Sequence, residues 1–189
     1  MAIATPVAPP RFFTVDEFRL MGEAGVFAPE ERVELVEGWI VRMSPIGDPH
    51  NGRTTRANRL FHDLFGRLAV IQVQGPLRLG DSSQVQPDVA VLRERADLYE
   101  QGTPVPANAL LIVEIADSTI QYDLGAKASL YAVHGIVEYW VEDIPGDRLV
   151  VHRDPTPDGY RSVQTLTRED RLRPVSFPDV EIAVSELLG

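Results

Sequence analysis

Residues 109–116 read ALLIVEIA, and residues 84–92 read QVQPDVAVL. The first run is apolar everywhere except Glu114. A strand of that kind is covered on both faces, so Ala109–Ala116 is predicted to lie at the centre of a sheet. The second run predicts a strand over Val85–Leu92, with Pro87 near its start, where a missing N–H suits an edge or a strand beginning. Alternation along that strand puts Asp88 on the face of Ala90 and Leu92. A buried carboxylate with no partner is costly, so Glu114 and Asp88 must each be paired, protonated or bound to a metal.

The sequence on either side predicts a mixture of helices and strands. Thr14 followed by Val15-Asp16-Glu17 predicts an N-capped helix over Thr14–Glu23, closed by Gly25. Val33–Val36 and Trp39–Met43 predict a hairpin turning at Glu37-Gly38. Ser44–Pro49 is a loop, and His50–Leu68 has helical period. Its apolar face carries Ala57, Leu60, Phe61, Leu64, Phe65 and Leu68, beside a stripe of Arg53, Arg56, Arg59 and Arg67. Val70–Val73 and Leu77–Leu79 predict one strand with an interruption at Gly75-Pro76. Tyr122–His134 predicts a second helix, ended by Gly135. Val137–Glu142 and Arg148–Arg153 predict another hairpin, Tyr160–Leu166 a further strand, and Ile182–Leu188 a short terminal segment. Trp39 and Trp140 are expected to anchor the core. The fold class is therefore α/β (α+β), a mixed central sheet with flanking helices. Residues 1–11, with three prolines, are expected to be a flexible arm, and residues 12–189 a single domain.

Composition narrows the function. The chain has 189 residues, with 28 acidic and 18 basic side chains and a formal charge of −10. That balance argues against a protein that coats nucleic acid by bulk charge, but leaves room for local phosphate recognition. There is no cysteine, which excludes disulfides, thiolate nucleophiles and zinc–thiolate sites and suits a reducing cytoplasm. No apolar run approaches the length of a membrane span, and the start, MAIATPVAPP, lacks the basic region of a secretory signal. There is no GxxxxGK[ST] and no GxSxG. Of the 18 basic residues only one is lysine, Lys127. A lone lysine in an arginine-rich chain points to a place where the forked guanidinium does not serve.

Three residues thus stand out: Asp88, Glu114 and Lys127. Two carboxylates on neighbouring strands can share one divalent cation, and oxygen ligands suit Mg²⁺ or Mn²⁺. A nearby ammonium can orient an attacking water or steady charge on a phosphate. Asp123, Lys127 and Tyr131 follow i, i+4, i+8 spacing and share a helix face. Each residue also has a plainer explanation. Glu114 could pair with an arginine of the long helix, Asp88 could cap a turn after Pro87, and Asp123–Lys127 could be a surface ion pair. Around them, His50 could reach a phosphate or a water, or simply start its helix. Arg53 and its stripe could contact a phosphate backbone. Gln86, Gln121 and Tyr131 could line the site or pack the helices.

The order Gln86-Pro87-Asp88, then Glu114, then Lys127 resembles the signature of the PD-(D/E)-x-K nuclease superfamily. Within it the chain is similar to the large bacterial Uma family, named as restriction endonucleases. The similarity runs from about Phe13 to Leu187 through VELVEGWIVRMSP, His50, QPDVAVL, VEIADST and YDLGAKASLYAVHGIVEYWVED. It implies a restriction-endonuclease-like mixed sheet and Mg²⁺-dependent (or Mn²⁺-dependent) cleavage of phosphodiester bonds. Asp88 would match the motif's metal-binding Asp, Glu114 its second acid, and Glu34 the acid contributed upstream. The chain departs from the pattern at Ala116, where the superfamily has its lysine. In the family the lysine often stands on the next helix, which would make it Lys127. The implied substrate is nucleic acid, with DNA the leading candidate, and a homodimer partner or the arginine stripe would supply backbone contacts. The alternative is a catalytically inactive member of the fold acting as a binding or assembly module, with the 137–153 hairpin as a candidate assembly surface.

Overall fold

The structure, a computed structural model, describes residues 9–189. Of the arm expected over residues 1–11, residues 1–8 lie outside the described residues. Arg11 lies in irregular chain and pairs with Glu17. Helix α1 spans Val15–Glu23. Thr14 and Glu17 cap it reciprocally: the Glu17 amide donates to Thr14 Oγ1 at 3.2 Å and the Thr14 amide to Glu17 Oε2 at 3.0 Å. The first hairpin is β1, Val33–Val36, with β2, Trp39–Arg42. Its turn residues Glu37 and Gly38 both have positive φ, as a tight hairpin requires. A Cβ at Gly38 would also lie 2.6 Å from the Phe12 side chain, so only glycine fits.

The long helix α2, Asp48–Phe65, is followed by β3, Ala69–Val73, β4, Leu77–Arg78, β5, Gln84–Val85, β6, Val89–Arg93, and β7, Ala109–Ala116. The chain then crosses over through α3, Ile120–Tyr122, a π-helical turn, Asp123–Lys127, and α4, Ala128–Val133. The remaining elements are β8, Glu138–Asp143, β9, Arg148–Thr156, β10, Gly159–Leu166, β11, Arg171–Leu172, β12, Ile182–Ala183, and α5, Val184–Leu188. The main sheet has the order β10-β9-β8-β7-β6-β3. All its pairs are antiparallel except β7 with β8, which is parallel and therefore needs the helical crossover. A smaller sheet has the order β2-β1-β5-β4. The mixed sheet with flanking helices is the architecture expected from the sequence.

Four sequence expectations are corrected. The strand expected over Val85–Leu92 is broken: Val85 ends β5 in the small sheet, and β6 begins only at Val89 in the large one. Pro87 has no amide hydrogen to carry a ladder through, so the chain turns there from one sheet to the other. Asp88 consequently stands at the junction of the two sheets. Trp39 is 54% exposed, edge-on to Phe12, because β2 is the outer strand of the small sheet. Trp140, by contrast, is fully buried. The 137–153 hairpin offers no free face for assembly along β8, which is buried along its whole length between β7 and β9. Leu68 also lies beyond the helix, which stops at Gly66, and is exposed.

The core lies on both faces of the main sheet. On one, Phe61 and Phe65 of α2 and Leu187 of α5 pack on Val89, Val91, Leu111, Val113, Ile115 and Trp140. On the other, Leu130 and Tyr131 of α4 pack on Ala90, Leu92, Ile112, Ala116, Tyr139 and Val141. Strand alternation divides β7 between them, and Glu114 takes the side of Ile112 and Ala116, facing the crossover helix. Among the described residues no helix is long and apolar enough to cross a membrane.

Candidate active site

Glu114 and Lys127 are buried, 3% and 4% exposed. Lys127 Nζ stands 2.8 Å from Glu114 Oε1 and 3.5 Å from Glu34 Oε1. Glu114 therefore pairs with the lone lysine rather than with an arginine of α2, and Asp123–Lys127 is not a surface pair. The π turn Asp123–Lys127 helps bring this about. It adds a residue to one turn of the crossover, with the Ala128 amide bonding back to Asp123, and such bulges recur at functional sites. Tyr131, one turn further on, donates its hydroxyl to Glu114 Oε1 at 2.8 Å. Glu34 comes from β1 and accepts the Gln86 amide at 2.6 Å, a bond that ties the small sheet to the approach of Asp88.

Asp88 joins the same cluster through the backbone. Its amide donates to Glu114 Oε2 at 3.3 Å, and its Oδ2 accepts the Ile115 amide at 2.9 Å. His50 Nε2 lies 3.0 Å from the same oxygen, and Gln74 donates to Oδ1 at 3.3 Å. Thr54, one turn along α2, donates its hydroxyl to the His50 carbonyl at 2.9 Å. His50 thus starts its helix and also reaches Asp88.

The electrostatics follow from burial and from the surplus of acids. Burial pushes the Glu114 carboxyl up to about 8; Lys127 opposes this, while Asp88, Asp123 and Glu34 add to it. One ammonium is shared among several carboxylates, so it cannot fully ionise them all. Burial disfavours the Lys127 ammonium, but Glu114, Glu34 and Asp123 outweigh it and hold the amine protonated above its ordinary range. Burial also raises Asp88, but the hydrogen bond and charge of His50, the Ile115 amide and Lys127 bring it below its usual value. The Asp88 hydrogen bond raises His50 in return. Asp123 is raised, mainly by burial.

These groups line a cleft of about 460 Å³ between the two sheets and the crossover. Glu34, His50, Asp88, Glu114, Gln121 and Lys127 all face it. Arg53, Gln86 and Tyr131 do not. Arg53 Nη1 lies 3.1 Å from the buried Glu142 Oε1, in an ion pair not aligned as a hydrogen bond. Gln86 contributes its backbone, and Tyr131 supports Glu114 from behind. Of the other stripe arginines, Arg59 pairs with Asp63, and Arg56 and Arg67 are exposed. Sequence reasoning passed over Gln74 and Thr54, and it gave Asp123 no part in the site. Gln74 had no local signal, since its partner Asp88 lies 14 residues on, beyond the small-sheet strands. Thr54 bonds His50 only four residues back, and Asp123 shares a helix-face spacing with Lys127, so both were within reach of the sequence.

The donors fit a hard cation. They are oxygens, they carry excess negative charge, and burial raises the Glu114 carboxyl, so a cation there would compete with a proton. Among the described residues no three His, Asp or Glu side chains are placed to hold an ion together. An ion here would therefore have one or two carboxylates as protein ligands, and water and substrate oxygens would have to complete its shell.

A family model described as "Putative restriction endonuclease", Uma2, matches residues 15–185. The chain belongs to the Uma2 family. No curated protein matches it in sequence. Among solved structures it is similar to a crystal structure described as a putative nuclease belonging to DUF820 from Anabaena variabilis ATCC 29413, with a TM-score of 0.72 and 17% identity over 93% of this chain and 97% of that one. At that identity the likeness shows the shared fold. The mixed sheet and the cleft at its junction are thus set in an Uma2 chain, with the family match spanning every residue of the cluster.

Proposed function

We propose that this Uma2 protein is a divalent-metal-dependent nuclease that hydrolyses phosphodiester bonds, with Asp88, Glu114 and Lys127 as its cleavage centre. The observation that carries the reading is Lys127, buried between Glu34 and Glu114 at a cleft that Asp88 shares. It supplies an ammonium beside two acids from a helix, although the strand position that would carry a lysine is Ala116. Asp88 and Glu114 would hold Mg²⁺ or Mn²⁺, and Glu34, which the family resemblance makes a ligand, would reach the ion through a water. A bound ion would lower the pKa of its water and neutralise charge on the phosphate. Lys127, kept protonated, is no base. It donates hydrogen bonds, to the attacking water or to the phosphate. Tyr131 and His50 hold Glu114 and Asp88 in orientation, and Gln121 can contact substrate at the rim. The substrate is nucleic acid, DNA first, and a homodimer over residues 12–189 in a reducing cytoplasm is the form to test.

A second reading is favoured by one observation, the absence of a three-acid cluster among the described residues. It makes the chain an inactive binding module. Calorimetric titration of Mn²⁺ into the wild type and Asp88→Ala separates the two. Saturable binding lost in the variant supports the nuclease, and no binding in either supports the module.

A further inference from the structure

Two residues that line the cleft carry a hydrogen-bond donor with no partner among the described residues. The Tyr122 hydroxyl is buried in the cleft wall and makes no hydrogen bond among the described residues. The Arg32 guanidinium also lines the cleft and has neither ion pair nor side-chain hydrogen bond among the described residues. The other arginine there, Arg42, is tied to Glu31 at 2.9 Å. The Tyr122 orphan is uncommon, because a donor cut off from water destabilises the fold unless something accepts from it. Arg32 is half-buried, so its guanidinium is open to water or to an incoming ligand.

Their placement is built by the fold. The Arg32 carbonyl accepts the Met43 amide at 2.9 Å, which continues the β1–β2 ladder. Arg32 immediately precedes β1 and continues its alternation, which puts it on the face of Glu34, and both residues line the cleft. Tyr122 ends α3, immediately before the π turn that delivers Lys127. The charges of Glu34 and Lys127 both reach Tyr122, and that of Arg32 reaches His50. Both donors thus border the acidic floor without being consumed by it. Neither can bind a cation. An anion with several oxygen acceptors would satisfy both, and a guanidinium is the side chain best shaped for a phosphate.

We infer that Arg32 and Tyr122 form the subsite that holds the non-bridging oxygens of the phosphodiester above Asp88 and Glu114. This rests on the nuclease reading. The test titrates the full chain with the dinucleotide pTpT in Ca²⁺, for the wild type, Arg32→Gln and Tyr122→Phe, and melts each protein. Cleavage of plasmid DNA and of an RNA transcript by the wild type in Mn²⁺ is followed in parallel. Arg32→Gln is expected to weaken pTpT binding about tenfold or more, and Tyr122→Phe about threefold to tenfold. The Tm of Tyr122→Phe should stay the same or rise, since the variant removes an unpaired buried hydroxyl. A Tm that falls with affinity unchanged would assign Tyr122 to the fold and overturn its role. If the wild type binds or cleaves and both variants bind pTpT as well as it does, the subsite alone is wrong. A wild type that neither binds pTpT nor cleaves overturns the nuclease reading, and the subsite with it.

Discussion

Lys127 Nζ lies 2.8 Å from Glu114 Oε1, both groups are buried, and Tyr131 donates to the same carboxylate oxygen. This answers why a chain of arginines keeps one lysine. The site holds a compact ammonium on a flexible stem between two carboxylates, a point charge that the planar fork of an arginine does not reproduce.

Lys127→Met should therefore be felt by the fold as well as the chemistry. Breaking a buried pair costs about 3–5 kcal/mol. Glu114 can stay protonated, which places the loss near the lower end, about 3 kcal/mol at neutral pH. Lys127→Arg keeps the charge but should still lose most of the cleavage activity. Urea unfolding and cleavage rates measured together check both variants.

Stability should fall as the solution turns alkaline. The Glu114 carboxyl is raised from its ordinary 4.5 to about 8, so the folded state binds the proton more tightly than the unfolded chain. That contribution is fully present below about 4.5 and is lost as pH rises through about 8. His50, raised by Asp88, acts in the same direction, its contribution present below 6.5 and lost above that. Melting scans at pH 6 and pH 9 should show a lower Tm at the higher pH. Added Mn²⁺ should raise Tm more at pH 9, where it need not displace a proton.

His50→Ala should leave the fold standing and loosen the site. His50 holds Asp88 Oδ2 at 3.0 Å from the first turn of α2. Losing an outer partner of a metal ligand commonly costs about 10–100-fold in affinity or activity. Mn²⁺ calorimetry on the variant reads this directly.

The sequence made some of this legible and hid the rest. ALLIVEIA is apolar at every position but one, so both its central place and the anomaly of Glu114 could be read locally. The Thr14 cap and the Glu37-Gly38 turn are short-range devices and were equally plain. The split at Pro87 was not, because it depends on β5 joining β1 and β6 joining β7. The π turn was hidden for a related reason: 122–134 has ordinary helical composition, and only packing against β7 decides where the extra residue goes. Arg53 looked available for a phosphate until Glu142, 89 residues later in the chain, took it.

Arg53→Met should accordingly act on stability. Glu142 would be left buried without its counter-charge, at a cost of about 2 kcal/mol after allowing for the partial exposure of Arg53. Affinity for nucleic acid should change by less than about twofold. Thermal melts and an anisotropy titration distinguish this from a role in substrate binding.

The most direct measurement is cleavage of plasmid DNA and an RNA transcript in Mn²⁺ by the wild type and by Asp88→Asn, with circular dichroism to show that the variant is folded. Cleavage by the wild type, its loss on chelation and its absence in a folded Asp88→Asn are the expected results. Cleavage by Asp88→Asn at the wild-type rate would contradict a centre built on Asp88, Glu114 and Lys127.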